Sequence, residues 1–303
     1  MSLHWIAVLQ ALFVAFLWST SFVFIKIGLQ TLPPLTFAGL RYFLAFVCLC
    51  IILWFSKSKA ELKRLPRQVW VRLIVIGLLF YAGTQAASYV ALAYLPAVTV
   101  NLLWSFSTIT VALLGIVWLS ERPTLFQWGG IFLAIAGTWL YFYPVAIPKA
   151  QRFGVTIALA GIILHAISLL LGRDINRSRE YHPLVVTVVS MGAGAIVLLG
   201  TGLIVEDIPL IDIKGWVIVA WLAIVNTALA FTLMNQTLRT LTAMESSMIN
   251  STMLIWIPIF AVLFLEERIT PVEIIGLVLA GTGTVIVQLR LPPRHKNIDP
   301  QAS

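Results

Sequence analysis

Side chains able to hydrogen-bond a small solute recur at helical spacing inside otherwise apolar runs of this chain. Tyr81, Thr84, Gln85, Ser88 and Tyr89 share one helical face, as do Asn101, Trp104, Ser105 and Thr108. Further along stand His165 with Ser168, then Asn226, Thr227 and Asn235, then Ser247, Asn250 and Ser251. Near the N-terminus Gln10, Trp18 and Ser21 complete the set. A helix in lipid needs no polar stripe, so such stripes mark faces turned toward the protein interior or a cavity. Amides and hydroxyls suit neutral or zwitterionic groups, and aromatic walls accept apolar ones. His165 is the one imidazole inside a run and titrates near neutrality when unperturbed; it is a candidate for proton coupling or for a structural hydrogen bond. Single Ser and Thr residues are accounted for as interhelical glue, worth about 0.6 kcal/mol apiece. Asn101, Asn235 and Asn250 are open to that role or to a cavity role. Bond-breaking chemistry at membrane depth needs more, such as paired Asp, a Ser/His set or an H-E-x-x-H metal site. Asp174, Asp207, Asp212 and Asp299 all lie outside the apolar runs. No enzyme, cofactor or metal is therefore expected. Cys48 and Cys50 sit two apart in one run, point to different faces of a helix, and suit neither a disulfide nor a metal.

The elements that carry these side chains follow from composition. The chain has 303 residues, 60% of them hydrophobic and only 11% charged, with a mean hydropathy of +0.98. A soluble domain would carry about a quarter charged residues. At about 20 apolar residues per crossing, there is room for roughly ten membrane helices and no separate soluble domain. Apolar runs give segments at 5–27, 35–55, 70–93, 97–119, 124–143, 153–172, 183–204, 215–238, 243–265 and 271–291. All are read as helices, because a backbone in lipid must satisfy its own hydrogen bonds. The first run, without a basic leader or an A-x-A-like cleavage site, is read as retained. A net charge of +8 would suggest nucleic acid for a soluble protein; here it marks cytoplasmic loops facing anionic lipid, and no nucleic-acid partner is expected. With the N-terminus inside, cytoplasmic positions collect 14 Lys and Arg, including six from Lys57 to Arg72, against five outside: Lys26, Lys149, Arg152, Lys214 and Arg268. Both termini are thus expected to be cytoplasmic. Lys149 and Arg152 are a local misfit.

At an offset of 146 residues the chain matches itself. Residues 97–140 align with 243–286 without a gap, with 12 identities in 44 positions. Leu119-Ser120-Glu121-Arg122 falls on Leu265-Glu266-Glu267-Arg268, and Gly130, Ala134 and Gly137 fall on Gly276, Ala280 and Gly283. Each unit holds five segments, an odd number, so the second enters the membrane from the opposite side. Inverted repeats with a site near the midplane are the architecture of secondary transporters. The small residues at four- and three-residue spacing let backbones approach closely, so the fifth and tenth segments read as packing helices.

The chain resembles the EamA-type family of the drug/metabolite transporter superfamily. The residues that carry this are Leu-x-Glu-Arg ending the fourth and ninth segments, each followed by a Gly-x6-Gly-Thr helix. Leu17-Trp18-Ser19-Thr20-Ser21-Phe22 in the first segment, and Pro34, Phe37-Ala38 and Arg41 in the second, add to it. The resemblance implies ten helices in two inverted bundles, alternating access, and export or uptake of small metabolites. The fourth segment lacks a proline that many relatives carry there, whereas the ninth keeps Pro258.

The expected architecture is an all-α integral membrane protein with a first five-helix repeat at 1–146, an inverted second repeat at 147–292 and a cytoplasmic tail at 293–303. Cavity candidates are Trp18, Ser21, Tyr81, Gln85, Tyr89, Asn101, Trp104, His165, Asn226, Asn235, Asn250 and Trp256. Trp18, Trp104 and Trp256 lie deeper than the tryptophans near segment ends, which read as interfacial anchors. Arg41 lies about two turns inside its segment, and snorkelling to the interface is its simplest account. Glu121, Arg122, Glu267 and Arg268 read as local ion pairs or caps that hold their turns. Such a cavity offers amides, hydroxyls, aromatics and one imidazole, and one arginine is too few for a multiply charged anion. The expected function is a plasma-membrane exporter of amino acids or related zwitterionic or neutral compounds. The partners are a small-molecule substrate and the bilayer, with proton coupling open and a monomer or homodimer equally compatible. The alternatives are a multidrug, purine-like or nucleotide-sugar-like transporter, or a polytopic membrane enzyme.

Overall fold

A computed structural model describes residues 3–119, 124–143, 148–178, 180–207, 210–237, 240–241 and 243–289, and those residues are almost wholly helical. The helices are α1 (Leu3–Gly28), α2 (Pro34–Phe55), α3 (Arg67–Tyr94), α4 (Ala97–Leu119), α5 (Leu125–Tyr141), α6 (Lys149–Ser178), α7 (Pro183–Val205), α8 (213–237), α9 (243–265) and α10 (Pro271–Gln288). A single turn at Lys59–Leu62 lies between α2 and α3. Eight of these helices are long and apolar enough to cross a membrane; shorter apolar stretches at Ala97–Val111 and Leu125–Tyr141 stand where the fourth and fifth crossings are expected. Large apolar side chains such as Phe132, Ile204, Ile255 and Val278 point outward, as a hydrocarbon solvent allows.

Helix starts follow ordinary capping chemistry. Thr124 and Thr270, one repeat length apart, both close capping boxes, with Gln127 and Glu273 as the reciprocal partners. Pro34, Pro183 and Pro271 occupy first turns, where the missing N–H costs nothing. Other amides are capped by carboxylates distant in sequence. Glu206, just past α7, accepts from the N–H groups of Leu35 (2.9 Å) and Thr36 (2.7 Å) at the start of α2. Glu61, just past α2, accepts from His182 N–H (2.8 Å) at the start of α7. The two contacts are related by the repeat, since α2 and α7 exchange roles in it.

Three local irregularities have no signature in the sequence. α3 carries a π-helical turn at Leu78–Thr84, and α8 carries one at Ile224–Leu229, at equivalent positions of the repeat. In each a threonine hydroxyl donates five residues back, Thr84 to Leu79 O (2.9 Å) and Thr227 to Leu222 O (2.8 Å), taking up a carbonyl that the wider turn frees. α9 is interrupted at Thr252, which separates Ala243–Ser251 from Met253–Leu265.

α5 and α10 approach each other backbone to backbone. A Cβ built on Gly137 would stand 2.7 Å from the carbonyl oxygen of Gly276, and one on Gly276 would stand 2.7 Å from that of Gly137. Only glycine lets these backbones meet. The main buried cluster includes Phe37 of α2, Tyr89 of α3, Leu102 of α4, Met191 of α7 and Leu222 of α8, so these helices share one core.

Candidate functional site

Two adjoining clusters occupy the interior. The first is a run of rings. Trp18 of α1 lies 5.5 Å from Phe231 of α8, which lies 6.3 Å from Tyr81 of α3. Tyr81 meets Phe80 edge to face at 4.8 Å, Phe80 stands 5.4 Å from His165 of α6, and His165 meets Trp104 of α4 at 5.9 Å. One arc of aromatic contacts thus joins α1, α8, α3, α6 and α4. His165 Nδ1 and Trp104 Nε1 are buried and have no hydrogen-bond partner among the described residues. A buried polar atom left unpaired costs about 1–3 kcal/mol. The π-helical turn of α3 holds Phe80 and Tyr81, and its wider helix turn sets the two rings at right angles.

The second cluster surrounds Arg41. Its side chain does not snorkel: only 5% of the residue is exposed. Nε donates to Thr227 Oγ1 of α8 (2.9 Å), Nη1 to Tyr89 Oη of α3 (3.2 Å) and Nη2 to Ser21 Oγ of α1 (3.5 Å). The guanidinium also stands 5.3 Å from the Tyr42 ring, and Tyr42 meets Tyr81 at 5.7 Å. The arc and the arginine therefore share a border. The cause is geometric: α1, α3 and α8 surround this stretch of α2 and bring three hydroxyl acceptors to the guanidinium.

Other expected residues are placed as follows. Gln85 is half-buried. Asn101 is buried and donates to Met253 O (3.4 Å), tying α4 to the interruption of α9. Among the described residues Asn250 Oδ1 is buried without a partner. Asn226 is fully buried; its Nδ2 donates to Leu17 O and to Thr20 Oγ1 (3.0 Å), while its Oδ1 has no partner among the described residues. Trp256 packs on Phe16 (5.6 Å) and Phe260 (6.0 Å) and does not join the arc. Glu121, Arg122 and the side chain of Asn235 lie outside the described residues.

Glu267 does more than hold its own turn. Glu266 takes a left-handed backbone (φ 57°), which swings Glu267 toward α4. Its carboxylate accepts from the first amides there, Ala97 N–H (2.6 Å) and Val98 N–H (3.2 Å). Glu267 and Pro96 form the wall between a cavity of about 420 Å³ that reaches Thr99, Tyr141 and Arg268 and one of about 470 Å³ that reaches Lys26 and Gln30. A third cavity, about 750 Å³, lies between α9 and α10; its walls, such as Pro258, Val262 and Val278, are almost wholly apolar, and none of them belongs to the arc. None of these three cavities is lined by the arc residues. Phe80, Phe231 and Tyr42 were not singled out by the sequence, because an aromatic residue in an apolar run carries no polar periodicity.

Among known proteins, the probable amino-acid metabolite efflux pump of Escherichia coli is 26% identical over 296 residues, covering 91% of this chain and 92% of the relative. The S-adenosylmethionine/S-adenosylhomocysteine transporter of Chlamydia trachomatis serovar L2 is 25% identical over 292 residues, covering 91% and 86%. The probable amino-acid metabolite efflux pump of Salmonella typhimurium is 29% identical over 237 residues, covering 73% and 74%. A crystal structure superposes with a TM-score of 0.67 at 19% identity, over 93% of this chain and 96% of the other, a likeness of fold. The model of the EamA-like transporter family matches twice, at residues 5–143 and 152–289. With its run of apolar helices the chain is a multi-pass membrane protein, and it belongs to the EamA-like transporter family.

Proposed function

We propose that the protein exports amino acids, or related zwitterionic or neutral compounds, across the plasma membrane by alternating access. Two five-helix halves, 1–146 and 147–292, lie inverted with respect to each other and together make ten crossings, with both termini and the tail at 293–303 in the cytoplasm. The protein binds and releases its solute unchanged, without catalysis or a cofactor, and needs only the bilayer and a small-molecule substrate; one chain holds a complete site, whether it works as a monomer or in a homodimer. The observation that carries this reading is the aromatic arc in which His165 Nδ1 and Trp104 Nε1 are buried and unpaired. Trp104 can donate one hydrogen bond, His165 can accept or donate, and the rings of Phe80, Tyr81, Phe231 and Trp18 wall an apolar side chain. The relatives named above add support: amino acids, S-adenosylmethionine and S-adenosylhomocysteine all carry an α-amino carboxylate. The same aromatic walls favour a multidrug transporter as the second reading.

Efflux from substrate-loaded proteoliposomes tests the choice. Aromatic and branched amino acids are expected to leave faster than from empty-membrane controls; equal rates across an amino-acid panel, with faster loss of cationic dyes, would select the second reading. Reporter fusions after residues 65, 148 and 209 are expected to report inside, outside and outside. Proton coupling through His165 predicts that His165→Gln flattens the dependence of efflux on pH; an unchanged profile removes that role.

A further inference from the structure

We propose that Arg41, with the hydroxyls of Tyr89 and Ser21, forms a subsite for a single carboxylate of the transported solute. The proposal rests on the transporter reading and adds the charge of the cargo to it. Its basis is a surplus of donors around a buried cation. A guanidinium has five N–H groups, and Arg41 uses three of them, on Thr227, Tyr89 and Ser21. Thr227 spends its own proton on Leu222 O, which is why its oxygen is free to accept from Nε. Tyr89 and Ser21 accept from the guanidinium, and among the described residues neither hydroxyl donates onward. Two N–H groups and two O–H groups are thus left without an acceptor among the described residues. No carboxylate lies within ion-pair distance of Arg41 among the described residues. A buried charge ordinarily has an opposite charge beside it, and one without it is expensive.

An ionised carboxylate supplies what is missing: negative charge and up to four acceptor positions, which a guanidinium and flanking hydroxyls take in charge-assisted bonds. One cation matches one carboxylate, which sets phosphates and dianions aside. The position agrees with an amino-acid cargo. Arg41 borders the arc through Tyr42 and Tyr81, so a solute held by its carboxylate at the arginine lies at the Tyr42–Tyr81 edge of the arc. The π-helical turn of α8 is what delivers Thr227 to Nε, so it orients the guanidinium plane.

The test is ligand-dependent thermal stabilisation of the purified full chain in detergent, with three probes: phenylalanine, 3-phenylpropanoate and phenylalaninamide. The two carboxylates are expected to raise the melting midpoint and the amide is not. Tyr89→Phe and Ser21→Ala keep the charge and each remove one O–H donor; each is expected to weaken the carboxylates roughly tenfold. Arg41→Gln is expected to abolish the preference for carboxylate over amide, and if that variant does not fold, the two hydroxyl variants decide. Equal binding of acid and amide, or unchanged affinity in both hydroxyl variants, overturns the subsite and leaves the transporter reading standing. Arginine-dependent binding of 3-phenylpropanoate without phenylalanine keeps the subsite and removes the amino-acid cargo. No stabilisation by any of the three probes overturns the subsite.

Discussion

The contact between α5 and α10 and the arc from Trp18 to Trp104 handle burial in opposite ways. Where α5 meets α10, glycine faces glycine, and the backbones close until no side chain would fit between them. In the arc, bulky rings meet tilted or edge to face at 4.8–6.3 Å, and two polar atoms are buried unpaired among the described residues. Membrane helices gain little from apolar burial alone, because lipid tails are as apolar as leucine. Close backbone contact is what holds them, and α5–α10 supplies it. Unpaired polar atoms work against stability, and among the described residues the arc holds two of them where α5 holds one, Thr138 Oγ1.

The contrast breaks most directly at Gly137. A leucine there has to displace the Gly276 carbonyl and the backbone of Ala280, neither of which can turn aside. Gly137→Leu is expected to lose about 3 kcal/mol or more, read as a collapse of the melting midpoint in detergent together with all transport. Gly276→Leu is expected to do the same from the other side of the contact; a normal midpoint in both would mean the helices are held elsewhere.

His165→Leu is the converse experiment. It removes an unpaired imidazole from between Phe80 and Trp104, so the melting midpoint is expected to hold or to rise by up to about 1–2 kcal/mol equivalent. Efflux is expected to fall at least roughly tenfold, the loss of one hydrogen bond to a bound solute. If the variant unfolds and retains its transport per folded molecule, His165 belongs to the scaffold.

Trp104→Phe sharpens the same side with a smaller change. The ring contact with His165 survives, and only the Nε1–H donor is lost. Half-maximal efflux is expected to need about fivefold more substrate, roughly 1 kcal/mol, with no change in melting. An unaltered requirement would leave Trp104 as a wall and assign the donor's role to another residue.

How much of this the sequence discloses depends on distance along the chain. The Gly-Ala-Gly rows of α5 and α10, the repeat and the two capping boxes are local or periodic, and each is legible. Trp18, Tyr81, Trp104 and His165 are legible as polar or amphipathic positions in apolar runs, but the phenylalanines that join them are not. Arg41 reads wrongly by itself because its partners lie 20, 48 and 186 residues away. Its burial is decided by the packing of α1, α3 and α8 around α2, a property of no single segment. The two π-helical turns and the interruption at Thr252 follow no composition rule, although the turns matter, since one places Phe80 and the other places Thr227.

Glu267 offers the finest test, because it belongs to neither scaffold nor arc. Its carboxylate crosses from the end of α9 to the first amides of α4, 170 residues away, and stands in the wall between two cavities. Glu267→Gln keeps one acceptor but turns an amide N–H toward N–H donors and loses the charge that favours a helix N-terminus. The expected cost is about 1 kcal/mol, too small to unfold the protein and large enough to loosen α4 from α9. A cysteine at Thr99, in a background freed of Cys48 and Cys50, gives the readout through its rate of modification by a membrane-impermeant thiol reagent. That rate is expected to rise about fivefold in Glu267→Gln while the melting midpoint stays near that of the parent. A rate unchanged beside an unchanged midpoint would make the Glu267 contact a passive cap; a rise would place the hinge of the α4–α9 wall at the left-handed turn of Glu266.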